Sequence, residues 1–283
     1  MRRITISIVL FILIYSVVFA GGSDESRVEH RSVISHALTD NDQPVMTEIT
    51  VYLPPGYDKS RKDFPVIFLF NGIGGNNREF FTGGDWADYR GTTIDVIADN
   101  LIGNRDIEPV VIVGVQLTGL VAVSRDENTR PLPNYFFNEV VPFVETNYRI
   151  EKPRSARGLF GWSDGGGNAI ELVFLHPEEF GILGLYSPWF GNEEWHDDPN
   201  EYVLDKYLDF DVWFDAYDAD RHPLKIWIWF GENDENGSFP IGQRLGAGLE
   251  ERGIKPRFET DFGNHWPTET NIINSLVFFS ESL

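Results

Sequence analysis

Leu159-Phe160-Gly161-Trp162-Ser163-Asp164-Gly165-Gly166-Gly167 is the stretch whose pattern decides the fold. A short apolar run, residues 157–161, passes through Gly-x-Ser-x-Gly into a segment of helical character, residues 168–175. A strand that turns sharply into a helix around such a serine is a nucleophile elbow, and its flanking positions must be small, as Gly161 and Gly165 are. Ser163 is then held with its hydroxyl beyond the end of the sheet. The N–H of Asp164 faces the same spot, and the helix N-terminus adds favourable partial charge. Taken alone, the same letters also fit an ordinary glycine-rich strand–helix turn, so the neighbouring elements carry the assignment.

Those neighbours alternate between strand and helix patterns. Residues 66–70 are continuously apolar, as a parallel strand buried on both faces should be, and stop at Asn71-Gly72. Residues 110–115, 182–186 and 225–230 repeat the pattern, and residues 257–260 form a last candidate. Residues 48–53 alternate like a half-buried strand and end at Pro54-Pro55-Gly56. Helical patterns cover 93–101, 135–148 (Phe136, Val140, Phe143 and Val144 on one face despite Pro142), 168–175, 241–252 before Gly253, and 270–279. The alternation predicts an α/β fold, a mostly parallel central sheet with helices on both faces. In such sheets ligands bind beyond the carboxyl ends of the strands, so the loops after strands hold the candidates.

A serine hydroxyl needs a base, and the base needs an orienting acid. His265, in Phe262-Gly263-Asn264-His265-Trp266, follows the last strand, where the order Ser, acid, His puts the base. His30 and His36 precede the expected sheet, His176 closes a helix, His196 sits in an acidic loop, and His222 comes just before a strand. The acid is expected after residues 225–230, in Gly231-Glu232-Asn233-Asp234-Glu235-Asn236-Gly237. Asp234 is the first choice, with Glu232 and Glu235 open alternatives. Calcium-loop spacing is absent from this segment, and no metal site is expected. The glycine-rich loop Asn71-Gly72-Ile73-Gly74-Gly75 offers a second backbone donor for an oxyanion, the N–H of Ile73.

The N-terminus reads Met1-Arg2-Arg3, then an apolar run to Phe19, then Ala20-Gly21. This is the layout of a signal peptide over 1–20, with cleavage after Ala20 and a retained anchor as the other reading. Residues 21–44 are expected as an N-terminal segment and 45–283 as one domain. The expected location is secreted or periplasmic. The chain has no cysteine, which excludes disulfides and thiolate catalysis. A formal net charge of −21 argues against nucleic acid and anionic membranes as partners. The sequence is silent on oligomeric state.

With these pieces in order, the chain resembles the esterase-D-like branch of the α/β hydrolases, and within it the feruloyl esterases of carbohydrate esterase family 1. The resemblance is carried by residues 64–75, by Val96-Ile97-Ala98-Asp99-Asn100-Leu101-Ile102 and by Val141-Pro142-Phe143-Val144-Glu145-Thr146-Asn147-Tyr148, together with the elbow. It implies the α/β-hydrolase fold and a serine esterase without cofactor. It matches Ser163 to the nucleophile, Asp234 to the acid and His265 to the base, with Ile73 and Asp164 N–H groups as oxyanion donors. Feruloyl or acetyl esters of plant cell-wall polysaccharide are the implied substrates. Siderophore-ester cleavage, acyl transfer and a non-catalytic carbohydrate-binding or adhesion role on the same scaffold are the alternatives. Trp86, Tyr186, Trp189 and Trp266 are candidates to flank an aromatic acyl group or sugar, and a place in the core suits them equally. Two departures stand out. Asn71 replaces a histidine common in the family, and Asp164 replaces an apolar residue, which bears on the substrate and on the basicity of His265.

Overall fold

The computed structural model describes residues 25–40, 43–82, 92–117, 131–189, 214, 217–235 and 238–283. Its strands are β1 (Arg27–Asp40), β2 (Gln43–Leu53), β3 (Val66–Phe70), β4 (Val111–Val115), β5 (Arg157–Trp162), β6 (Ile182–Tyr186), β7 (Lys225–Gly231) and β8 (Arg257–Asp261). They form one sheet in the order β1-β2-β4-β3-β5-β6-β7-β8. From β4 to β8 every pairing is parallel, whereas β2 runs antiparallel to both β1 and β4. With helices on both faces, this is the α/β-hydrolase architecture.

The apolar runs are continuous because both faces are covered. In β3, Val66, Phe68 and Phe70 join one core layer and Ile67 and Leu69 the other, which is the period of two that a pleated strand imposes. The first layer packs beneath α3 (Leu132–Tyr135), a π-turn (Phe136–Val140), α4 (Val141–Asn147), α5 (Asp164–Leu175) and α6 (Ser238–Glu251). The second packs beneath α1 (Glu79–Thr82), α2 (Ile94–Asn104) and α7 (Glu269–Glu281). Each fully buried Val, Leu, Ile or Phe contributes about 1.5–3 kcal/mol over its exposed state.

Two elements differ from the sequence expectation. Residues 27–40, expected to precede the domain, form β1 and pair with β2 from Arg27 opposite Leu53 onward. As an edge strand of mostly polar residues, β1 buries Val33 and Ser35 and exposes Ile34, so it carries little apolar signal. The helix expected over 135–148 is broken by the π-turn, where the Val141 N–H donates to the Phe136 carbonyl. Pro142 has no N–H to continue an ordinary ladder, and the widened turn absorbs the missing bond. Residues 1–24, with the expected export signal, lie outside the described residues. No described helix is long and apolar enough to cross a membrane.

Parallel strands end at one edge of a sheet. The loops after β3, β5, β7 and β8 therefore meet there, and every candidate of the serine, acid, base and backbone-donor set lies on one of them or, for Asp164, at the start of the helix that follows.

Candidate active site

Ser163 stands between β5 and α5 with φ 55° and ψ −125°, a region that costs a non-glycine residue about 1–3 kcal/mol. The surroundings enforce it. A Cβ on Gly161 would lie 2.3 Å from the Gly165 carbonyl oxygen, and one on Gly165 would lie 2.4 Å from that of Asn71, so neither position accepts a side chain. The Ser163 N–H donates to the Tyr186 carbonyl at 3.0 Å, and the Ser163 carbonyl accepts from Gly166 at 2.9 Å and Trp189 at 2.7 Å.

The serine hydroxyl lies 2.8 Å from His265 Nε2, and His265 Nδ1 lies 2.7 Å from Asp234 Oδ2. Ser163 and His265 are buried, and the Asp234 side chain is wholly so. Of the three carboxylates in that loop, Asp234 is the one that meets the imidazole. Glu232 is exposed and accepts from the Thr260 hydroxyl at 2.9 Å, and Glu235 is exposed.

The loops bearing Asp234 and His265 are joined to each other. Glu232 N–H donates to Asp261 O at 2.8 Å, Asn233 N–H to Gly263 O at 3.0 Å, and the Asn233 amide to Phe262 O at 2.6 Å. Asp261 anchors the start of the histidine loop. It accepts from Gly263 N–H at 2.8 Å, from the Trp229 indole at 3.1 Å and from the Asn271 amide at 3.1 Å. A Thr268–Asn271 capping box then fixes the start of α7. Sequence reasoning did not select Asp261. Its signal was an acid at a strand end, two residues before Gly263.

The loop after β3 approaches Ser163 from the other side. The buried Asn71 donates its amide to Gly72 O at 2.7 Å and accepts from Leu117 N–H at 3.3 Å, which ties this loop to the end of β4. Asn71 is thus a structural tether of the loop. Ile73 is exposed at the loop tip. Behind the loop lies Glu79, also not selected from the sequence. It is 4% exposed, and burial pushes its carboxyl up to about 7 while the Gly72 amide pulls the other way. That amide does not reach hydrogen-bond geometry, since neither Glu79 oxygen has a bonded partner among the described residues.

Asp164 is buried, and its carboxylate accepts from the Asn168 amide at 3.1 Å. It is held by its own helix. Of the aromatic candidates, Trp266 packs against Trp162 with ring centroids 4.2 Å apart and planes tilted by 39°, and is half-buried. Trp189 is half-buried and adjoins Ser163 through its backbone. Tyr186 takes the core place of its two expected readings. It is buried with its hydroxyl against Ser275 and its ring against Trp227, in the layer beneath α7, because alternation in β6 turns it into the core. Trp86 lies outside the described residues. Among the described residues, no group of His, Asp and Glu is arranged to hold a metal ion.

Residues 44–250 match the family model described as “Putative esterase”. Among solved structures, a ferulic acid esterase superposes with a TM-score of 0.72 at 20% identity, covering 92% of this chain and 100% of that one. A CE1 ferulic acid esterase from Anaeromyces mucronatus in complex with ferulic acid gives 0.67 at 18% identity, covering 92% and 94%. An S-formylglutathione hydrolase from Staphylococcus aureus gives 0.68 at 16% identity, covering 90% and 99%. At such identities the likeness is one of fold. An uncharacterized protein of Corynebacterium glutamicum is 28% identical over 148 residues, 50% of this chain. The match spans about a third, 32%, of that relative's length.

Proposed function

The chain belongs to the esterase family, and from that membership we propose that it is a carboxylic ester hydrolase acting through Ser163, His265 and Asp234. The observation that carries the proposal is the continuous hydrogen-bonded relay from Ser163 through His265 to Asp234, at 2.8 and 2.7 Å.

Asp234 accepts from Nδ1–H, which leaves Nε2 as the lone-pair nitrogen facing the hydroxyl. As Ser163 Oγ attacks the ester carbonyl, Nε2 takes its proton. The developing oxyanion is held by the N–H groups of Asp164, at the start of α5, and of Ile73. Donors preorganised in this way are worth about 10²–10³ in rate each. The imidazolium, stabilised by Asp234, returns the proton to the leaving alcohol. Water then repeats the sequence on the acyl-enzyme and regenerates Ser163.

Feruloyl or acetyl esters of plant cell-wall polysaccharide are the proposed substrates. Their support is the likeness to ferulic acid esterases, one of them with ferulic acid bound, and the aromatic pair Trp162–Trp266 beside His265. Export by residues 1–20 would bring the enzyme to such polymers. The S-formylglutathione hydrolase likeness keeps small thioesters in view.

The test is a labelling and hydrolysis series. A fluorophosphonate probe is expected to label wild type and not Ser163→Ala, and absence of labelling in wild type would overturn the enzyme reading. Across p-nitrophenyl acetate, methyl ferulate, acetylated xylan, S-formylglutathione and a catechol siderophore ester, turnover of methyl ferulate or acetylated xylan is expected. Turnover confined to the others would overturn the cell-wall substrate and leave ester hydrolysis standing.

A further inference from the structure

The loop at residues 71–75 is a thin wall between the serine and a buried carboxyl. A Cβ added at Gly72 would lie 3.3 Å from Ser163 Cβ, and one added at Gly75 would lie 2.6 Å from Glu79 Oε2. Glu79 opens α1 immediately behind that wall, with neither oxygen hydrogen-bonded among the described residues. A buried carboxylate without a partner is costly, so the group avoids the charge by keeping its proton.

Among the described residues, nothing around Glu79 compensates a negative charge there. Arg78, beside it, is engaged by Glu48 at 2.9 Å. On α2, Asp99 accepts from Tyr52 and Ser26, and Asp95 is a further acid. On α5, Asp164 is turned to Asn168. His265 is taken by Ser163 and Asp234. The 71–75 loop itself has no ionisable side chain.

We propose that Glu79 is a positioning residue for ester cleavage, whose neutral form leaves the 71–75 loop free to serve the oxyanion and whose ionisation disables it. This rests on the reading of Ser163, His265 and Asp234 given above. An ionised Glu79 acts in two ways. It draws the backbone dipoles of the loop, Gly72 N–H first, toward itself. It also places a second negative charge across the loop from the oxyanion in a dry setting, where charges interact strongly. Both effects bear on the transition state and leave a neutral ester ground state almost untouched, so kcat falls while KM holds.

The sign follows from the raised carboxyl. Glu79 is neutral below about 7 and charged above it, so activity declines as pH rises through that value. The Ser163 mechanism separately needs an unprotonated base, which sets an acid limb that Glu79 does not affect.

The experiment records kcat and KM for p-nitrophenyl acetate from pH 5.5 to 8.5 in wild type, Glu79→Gln and Ser163→Ala. Wild type is expected to lose about tenfold in kcat on the alkaline side, with KM steady, as a group of this pKa becomes almost wholly charged. Glu79→Gln is expected to abolish that loss and keep the acid limb. Infrared titration of wild type, independent of how the variant folds, is expected to show a protonated carboxyl band that disappears between pH 6 and 8. An alkaline limb unchanged in Glu79→Gln, a wild type without one, or the absence of that band would overturn the proposal. Hydrolysis by Ser163→Ala equal to wild type would overturn the Ser163 reading and this inference with it. Loss of activity in Ser163→Ala beside an unaltered Glu79→Gln profile would overturn this inference alone.

Discussion

The indole N–H of Trp162 donates to the main-chain carbonyl of His265 across 2.8 Å, so the residue before the proposed nucleophile holds the residue proposed to serve it. The same ring lies 4.2 Å from Trp266 and 5.6 Å from the imidazole, centroid to centroid. A Cβ on Gly72 would meet it at 2.8 Å. One side chain at the end of β5 therefore meets the loops after β3 and β8. Trp162→Phe keeps an aromatic ring and removes the donor. The lost bond is expected to cost about 1 kcal/mol of stability. A loosened His265 is expected to lower kcat about tenfold with KM nearly unchanged, since small misplacements at a reacting centre are costly. Steady-state kinetics beside thermal unfolding checks both, and an unchanged kcat would mean that the indole bond is only structural.

The acid is tested by comparing three neighbours on one loop. Asp234→Asn keeps the shape and presents an amide to His265 Nδ1, which favours the wrong tautomer. The expected loss is about 10⁴ in kcat, the scale seen when a triad aspartate is so replaced. Glu232→Gln and Glu235→Gln should leave kcat near wild type, because both side chains are exposed and Glu232 is turned to Thr260. A large loss in either would displace Asp234 from the role.

The elbow's strain yields a stability prediction with a built-in control. Gly161→Ala forces a methyl group to 2.3 Å from the Gly165 backbone oxygen. It is expected to destabilise by about 3 kcal/mol, the upper range for overpacking, since backbone cannot swing aside. Gly103→Ala, in α2 with nothing within 4 Å of the added carbon, should stabilise by about 0.5–1 kcal/mol through helix propensity. Chemical denaturation of the two variants should move in opposite directions.

The parts of this molecule legible in the sequence are those where one physical rule acts alone. The strands β3, β6 and β7 are buried on both faces, and apolar runs gave their positions to within a residue or two. Ser163, His265 and Asp234 are expected after strands, and the parallel sheet brings those places together so that the three side chains meet. What was hidden depended on tertiary context. β1 is polar because it is an edge strand, so no apolar period marks it. Tyr186 and Trp162 are register partners at the ends of β6 and β5, so the pleat puts both in the layer beneath α7, and only the fold of the histidine loop brings His265 to Trp162. Nothing in the sequence around Glu79 sets it apart from the chain's many other acids, and its burial arises from a loop folding over it.

That burial carries a thermodynamic consequence separable from catalysis. The Glu79 carboxyl has an ordinary value of 4.5 and is pushed to about 7 in the folded protein. Between those values the folded state holds a proton that the unfolded chain has released. The stability this group contributes is therefore full below about 4.5 and is lost progressively as pH rises to about 7. The swing is on the order of 3 kcal/mol. Glu79→Gln cannot lose a proton, so it should gain on wild type by that amount between pH 4.5 and 8. The many surface carboxylates titrate in both proteins and cancel in the difference, since distant sites add. Urea unfolding of the pair at several pH values gives the difference curve directly. A flat curve would mean that Glu79 ionises freely in the folded state, and the thin wall of residues 71–75 would then have no buried proton behind it.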